Sequence, residues 1–206
     1  MRVPAIGHER CDACGFDGSA YDDASLIEAL RGLGPRWRRL LAEAGPELRI
    51  RPDPTVWSAL EYAAHSRDIT ALHCFGVEQA LTGDEPVYPA IAADDLIEAA
   101  ASGYIDEDSE AVVDALDAAA GHLAELAEAA PVQGWERGMT VGDDRSTVRG
   151  LLEHALHDSL HHLDDVERGL SRLRGETAPS GETRSTGRQR QILPIRTPPQ
   201  GTRRSP

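Results

Sequence analysis

The stretch HALHDSLHH, His154 to His162, holds four of the chain's eight histidines. Imidazole titrates near neutral pH, donates and accepts hydrogen bonds, and gives a nitrogen lone pair to metal ions. On a helix turning about 100° per residue, His154, His157 and His161 fall within about 60° of one another, and His162 lies about 80° from His154. Leu152, Leu156, Leu160, Leu163 and Leu170 centre roughly opposite. An apolar stripe backed by a histidine face suits solvated surface, a buried polar network, or one wall of a metal site. His157 and His161 are one turn apart, the spacing by which a single helix offers two ligands to one ion. Asp158 and His162 repeat that spacing as a second, weaker pair.

A third ligand has to come from another element. WSALEYAAHSRDI puts His65 on the face of Tyr62, Ile69, Leu72 and Gly76, which predicts an inward side chain, with His73 about 80° around the helix. A lone inward histidine is most often a satisfied core residue; opposite a His-x3-His pair, metal ligation becomes the better reading. At the N-terminus, His8-x2-Cys11-x2-Cys14 is half of a zinc ribbon, and no second Cys-x2-Cys exists. Cys74 is a third thiolate only if the N-terminus folds over the second helix. A structural zinc, a redox pair and free thiols in a packed leader therefore stay open. Three cysteines make no disulfide framework.

The elements that must position these groups are helical. Apolar residues make up 40% of the chain and aromatics only 4%, so the core is built of Ala, Leu, Val and Ile. Residues 1–23 read as an irregular leader. A first helix is expected from Ala24 to Ala44, with a break at Gly32, Gly34 and Pro35. A second runs from Thr55 to Leu81, capped by Asp53 or Thr55 after the RPDP turn and stopped by Thr82-Gly83. Residues 84–93 read as a loop, and Asp94 to Ser102 as a short helix. Ser109 to Ala129 forms a third long helix ended by Pro131, and a loop over 131–147 leads to a last helix capped by Ser146 or Thr147 and ending near Leu173. Four main helices with long crossings predict an all-α four-helix bundle over residues 24–173. Residues 174–206, rich in Pro, Gly, Ser, Thr and Arg, are expected to be a disordered basic tail.

Charge narrows the partners. The net charge is −14; residues 171–206 carry eight Arg and two Glu, which leaves −20 on residues 1–170. Such an acidic body repels phosphates, so nucleic acid is not an expected partner. No apolar run reaches the roughly 18 to 20 residues of a membrane span, and MRVPAIGHERCDACG lacks a signal-peptide core, so a soluble cytoplasmic protein is expected. Lysine and asparagine, both encoded by A-rich codons, are absent, which points to a GC-rich bacterial source.

These motifs resemble the DinB-like superfamily, which includes the mycothiol-dependent maleylpyruvate isomerases and the bacillithiol transferases. RPDPTVWSALEYAAHSRDI is similar to the family's second-helix motif and HALHDSLHHLDDVERGL to its fourth-helix motif, and CDACGFDG resembles a leader of actinobacterial members. The resemblance covers residues 24–170 and implies an up-up-down-down bundle, often a homodimer, with a metal held between helices by His65, His157 and His161. The isomerases carry a Glu at the place assigned to His157; a His there implies a three-histidine pattern, and a shifted register would select His162. Three imidazoles leave an ion an open position. Zinc is the first expectation, ahead of nickel, iron or manganese. The implied activity is metal-dependent S-transfer or thiol-dependent isomerisation, with mycothiol or a similar low-molecular-weight thiol ionised on the metal and an electrophile as second substrate. A non-catalytic metal-binding stress-response dimer is the alternative. Asp68 and Asp158 are candidate carboxylates behind the ligands, Arg145 and Arg149 a candidate grip on an anionic substrate, and Trp57, Tyr62, Trp135 and the 131–147 loop candidate pocket walls.

Overall fold

A computed structural model describes residues 8–89 and 103–176. Five helices make up most of it: α1 (Asp23–Arg31), α2 (Leu33–Ala44), α3 (Ala59–Thr82), α4 (Ser109–Ala129) and α5 (Val148–Leu173). The expected break in the first helix falls at Gly32, where α1 gives way to α2; Gly34 is seated so closely on α4 that a Cβ would meet Asp117 Oδ1 at 1.9 Å. Together α1 and α2 form one rod of a four-rod bundle. It packs on α4 and α5, and α3 packs on the same two helices, so the first rod and α3 sit diagonally and the chain crosses the bundle end between them.

Each start has a local cause. Asp22 caps α1 and Asp108 caps α4 through their carboxylates. The second helix begins at Ala59 rather than Thr55. Ser58 is its cap, in a reciprocal box with Glu61, and Arg51 reaches back to the same buried carboxylate. Asp53 instead closes the preceding turn by accepting from Thr55 N at 3.0 Å. Of the two residues proposed to cap the last helix, Thr147 does so.

Two stretches read as loops contain strands. β1 (Val87–Tyr88) pairs in parallel with β2 (Gly138–Val141), which forms an antiparallel hairpin with β3 (Asp144–Thr147) around Gly142 at φ 62°. The strands are too short for periodicity to show in the sequence. The helix expected over 94–102 and the tail beyond residue 176 lie outside the described residues.

The core joins Leu26, Leu30, Leu33, Trp37, Leu60, Leu116, Leu123, Leu152 and Leu156, all fully buried. Trp37 donates its indole N–H to Ser159 Oγ at 2.8 Å, which fixes the rotation of α5 against α2. Residues 8–22 lie across α5: Phe16 is buried and stacks on His157 at 5.0 Å, and Glu9 and Glu153 tie the two segments together.

Candidate metal centres

From Val148 to Val166 no residue of α5 is exposed, and its four histidines are divided between partners. His65 from α3 meets Asp158 and His162 from α5, with one donor atom of each lying within 4.8 Å of the others. The His65 and His162 rings are 5.1 Å apart. Separately, Cys11 and Cys14 of the leader meet His157 and His161, and Glu9 meets His154 and His157. Among the described residues, no such donor set combines His65 with His157 and His161. The pairing that the spacing suggested for one ion is split: His65 takes the neighbouring i, i+4 pair of α5, and the expected pair faces the leader.

The His65 centre is buried and electrostatically poised. His65 is 7% exposed, and its Nδ1 has no hydrogen-bond partner among the described residues. Burial pushes its pKa down to about 4, so the ring is neutral and keeps a free lone pair at neutral pH. Burial opposes the charge of Asp158, but the hydrogen bond and charge of His162 outweigh it and hold the carboxyl well below the usual range. One of its oxygens, Oδ2, is also buried without a partner among the described residues. His162 is the converse: burial disfavours its cation, while Asp158 and Asp165 raise its pKa. Its Nδ1 lies 3.2 Å from Asp165 Oδ2, and its Nε2 3.6 Å from Asp158 Oδ1.

Two unpartnered buried polar atoms on adjoining residues need an explanation. Two imidazoles and one carboxylate are a chemically coherent donor set for a divalent ion, and Asp165 behind His162 supplies the outer carboxylate that ligating histidines ordinarily have. The residues fit a metal. Asp158 therefore moves from the outer role suggested for it into the donor set, and the pattern becomes His–carboxylate–His rather than three histidines.

The surrounding residues sort in the same way. Trp57 packs against His65 at 5.2 Å and Tyr62 against His162 at 5.0 Å, so both line the centre. Burial pushes the Tyr62 phenol up to about 12, leaving it a protonated donor. Trp135 does not join them; it is buried beneath Arg149 at 5.7 Å. Asp68 accepts from Tyr104 and Arg67 instead of orienting an imidazole. Neither proposed anion-binding arginine is free. Arg145 pairs with Glu85, and Arg149 with Glu153 and Asp23. Cys74 stays between α3 and α4, its thiol donating to Ala119 O at 3.3 Å, so it is not a third thiolate for the leader. His73 donates Nδ1–H to Ile69 O and packs at a tilt against the His154 ring, 5.2 Å away, a satisfied core histidine.

Sequence reasoning named Asp158 and His162 as the weaker pair, His162 as the ligand of a shifted register and Asp158 as an outer carboxylate, and it missed Asp165 and Glu9. Asp165 lies three residues after His162, a spacing that marks it as a neighbour on the same helix face. Nothing local in the sequence signals Glu9, which is 145 residues from His154.

Comparison with known proteins is consistent with this architecture. No curated protein matches the chain. Among solved structures, a match with TM-score 0.66 and 19% identity covers 75% of this chain and 89% of YfiT from Bacillus subtilis, described as a probable metal-dependent hydrolase with an unusual four-helix bundle topology. Residues 29–166, which include His65, Asp158 and His162, match the sequence profile of the DinB superfamily, and the chain belongs to that superfamily.

Proposed function

We propose that this protein is a metal-dependent enzyme whose ion is held by His65, Asp158 and His162, and that it transfers or isomerises substrates through a low-molecular-weight thiol of the mycothiol type. The observation that carries the reading is the convergence of those three donors from α3 and α5, with His65 Nδ1 and Asp158 Oδ2 buried and unpartnered. Bound there with a coordination position left open, a divalent ion supplies the Lewis acidity that keeps a thiol or water anionic near neutral pH. Zinc suits the donor set, as do nickel, iron and manganese.

The chain's own groups do the rest. Asp165 accepts from His162 Nδ1–H, so that an ion displacing the proton from Nε2 would meet that nitrogen. Trp57 and Tyr62 wall the donors from solvent and leave the Tyr62 hydroxyl as a neutral donor for a substrate oxygen. The thiol reading is supported by the resemblance to the maleylpyruvate isomerases, which carry a carboxylate among their ligands as this chain carries Asp158. YfiT, the structural relative, is described as a probable hydrolase, and the same donors would serve an attacking water. Homodimer assembly, common in the family, is part of the proposal.

The test is metal content and turnover on untagged protein. His65→Ala and Asp158→Ala should each remove one ion per chain, with the helical signal retained. Conversion of maleylpyruvate or a halogenated aromatic with mycothiol should fall at least a hundredfold, about 2.7 kcal/mol of transition-state stabilisation. Hydrolysis of esters or amides without any thiol requirement would replace the thiol reading by the hydrolytic one. A bound ion with no turnover of either kind would leave a metal-binding stress-response bundle. Unchanged metal content in both variants would refute the site.

A further inference from the structure

The leader carries a second constellation that the His65 centre does not use. Cys11, Cys14, His157 and His161 each offer one donor atom, all within 4.8 Å of one another. We propose that these four residues bind a structural zinc ion that staples the N-terminal leader to α5.

The local fold presents the donors. Cys11 N donates to Phe16 O at 2.9 Å and Gly15 N to Cys11 O at 2.8 Å, which curls the Cys-x2-Cys-Gly segment into a tight turn. Gly15 sits at φ 78°, a conformation that favours glycine. The turn closes at the Arg10–Asp17 bridge and brings both sulfurs to one side. On the other side, one turn of α5 separates His157 from His161. A Cys-x2-Cys pair facing a His-x3-His pair is the ligand spacing of Cys2His2 zinc sites. Four protein ligands close the coordination shell, which makes the site structural, and two thiolates balance the charge of a divalent ion.

Independent of the spacing, His157 is held as a metal ligand would be. Its Nδ1 lies 2.5 Å from Glu9 Oε1, so the proton sits on Nδ1 and the lone pair on Nε2. That Nε2 is buried and has no hydrogen-bond partner among the described residues. Glu9 thus acts as the outer carboxylate, and its group with His154 and His157 is a support for the zinc ligands rather than a third site. His161 Nδ1 lies 3.7 Å from Cys11 Sγ, in the geometry of two donors approaching a common ion. The thiols are also uneven. Burial works against the Cys11 thiolate, but the backbone amides of Cys14 and Ala13 in the turn bring its pKa down to about 6, while burial raises that of Cys14.

The experiment is a cobalt(II) titration of the full-length, reduced, metal-free protein, followed by zinc displacement. A thiolate-to-cobalt charge-transfer band should appear and vanish with zinc. It should persist in His65→Ala and be absent from a Cys11→Ser/Cys14→Ser double variant. Elemental analysis should then give two zinc ions per chain in the wild type and one in either variant. Glu9→Gln should retain the band but weaken zinc binding roughly ten- to hundredfold, the effect of losing an outer-shell carboxylate. Failure of the His65 centre would remove one ion and leave the band. Absence of the band in reduced protein, or its survival in the double cysteine variant, overturns the proposal; so does a Cys11–Cys14 disulfide whose reduction yields no zinc binding.

Discussion

The leader's attachment can be tested at one carboxylate, Glu153. It is 1% exposed and accepts from Arg149 Nε at 2.5 Å, His8 Nδ1 at 2.7 Å and Glu9 N at 2.9 Å. Gly18 leaves the room it occupies; a Cβ there would meet Glu153 Oε2 at 2.3 Å. Glu153→Gln preserves the shape but leaves one acceptor oxygen for three donors, so at least one donor faces an NH2 group. Breaking a buried ion pair from one side costs about 3–5 kcal/mol. The lower end applies here, because Arg149 keeps Asp23 and the carbonyls of Gly18 and Tyr21. About 3 kcal/mol is roughly a hundredfold in an opening equilibrium. The leader makes most of the lost contacts, so the effect should read there. In the presence of a chelator, deuterium exchange over residues 8–22 should accelerate roughly a hundredfold, while peptides of α3 and α4 change little. Exchange over 8–22 within a factor of three of wild type would refute the clamp.

Other consequences follow from the same contacts. Burial, reinforced by the His154 charge, pushes the His73 pKa down to about 4 from an ordinary 6.5. The unfolded chain therefore takes up the proton first, and the stability tied to neutral His73 is complete above pH 6.5 and lost as pH falls towards 4. A shift of that size corresponds to about 3 kcal/mol as an upper figure. Urea unfolding of metal-free protein between pH 7 and 4 should show a shallower fall for His73→Leu, and parallel curves would contradict the assignment. Ser58→Ala removes one side of the α3 capping box and should cost about 1 kcal/mol in the same assay, since Glu61 retains Arg51. No measurable change would mean that the Arg51–Glu61 contact alone holds the start of α3.

Much of the architecture was legible because it depends on local physics. The long apolar periodicities of α4 and α5, the Gly-Pro interruption between α1 and α2, and the Thr147 cap are written in neighbouring residues. The start of α3 was misplaced because Asp53, Thr55 and Ser58 all carry capping side chains, and only Arg51 and Glu61 closing on Ser58 select among them. The two hairpin strands and β1 escaped because no strand among the described residues is longer than four residues, and because β1 pairs with residues about 50 positions away.

The metal chemistry divides in the same way. The sequence by itself determined that α5 would offer imidazoles at one-turn spacing, that α3 would turn His65 inward, and that a Cys-x2-Cys pair stood at the N-terminus. It could not decide which pair of α5 meets α3. The pairs His157/His161 and Asp158/His162 lie roughly 140° and 120° from the centre of the leucine stripe, a difference smaller than the uncertainty in a helix's rotation. Tertiary packing settles it. The buried leucines, Val166 and the Trp37–Ser159 hydrogen bond set the rotation of α5, so that Asp158 and His162 turn to His65 and the other pair is left to the leader. The partners that complete each set come from chain segments about 100 to 150 residues away, and only the folded chain brings those donors within reach of one ion.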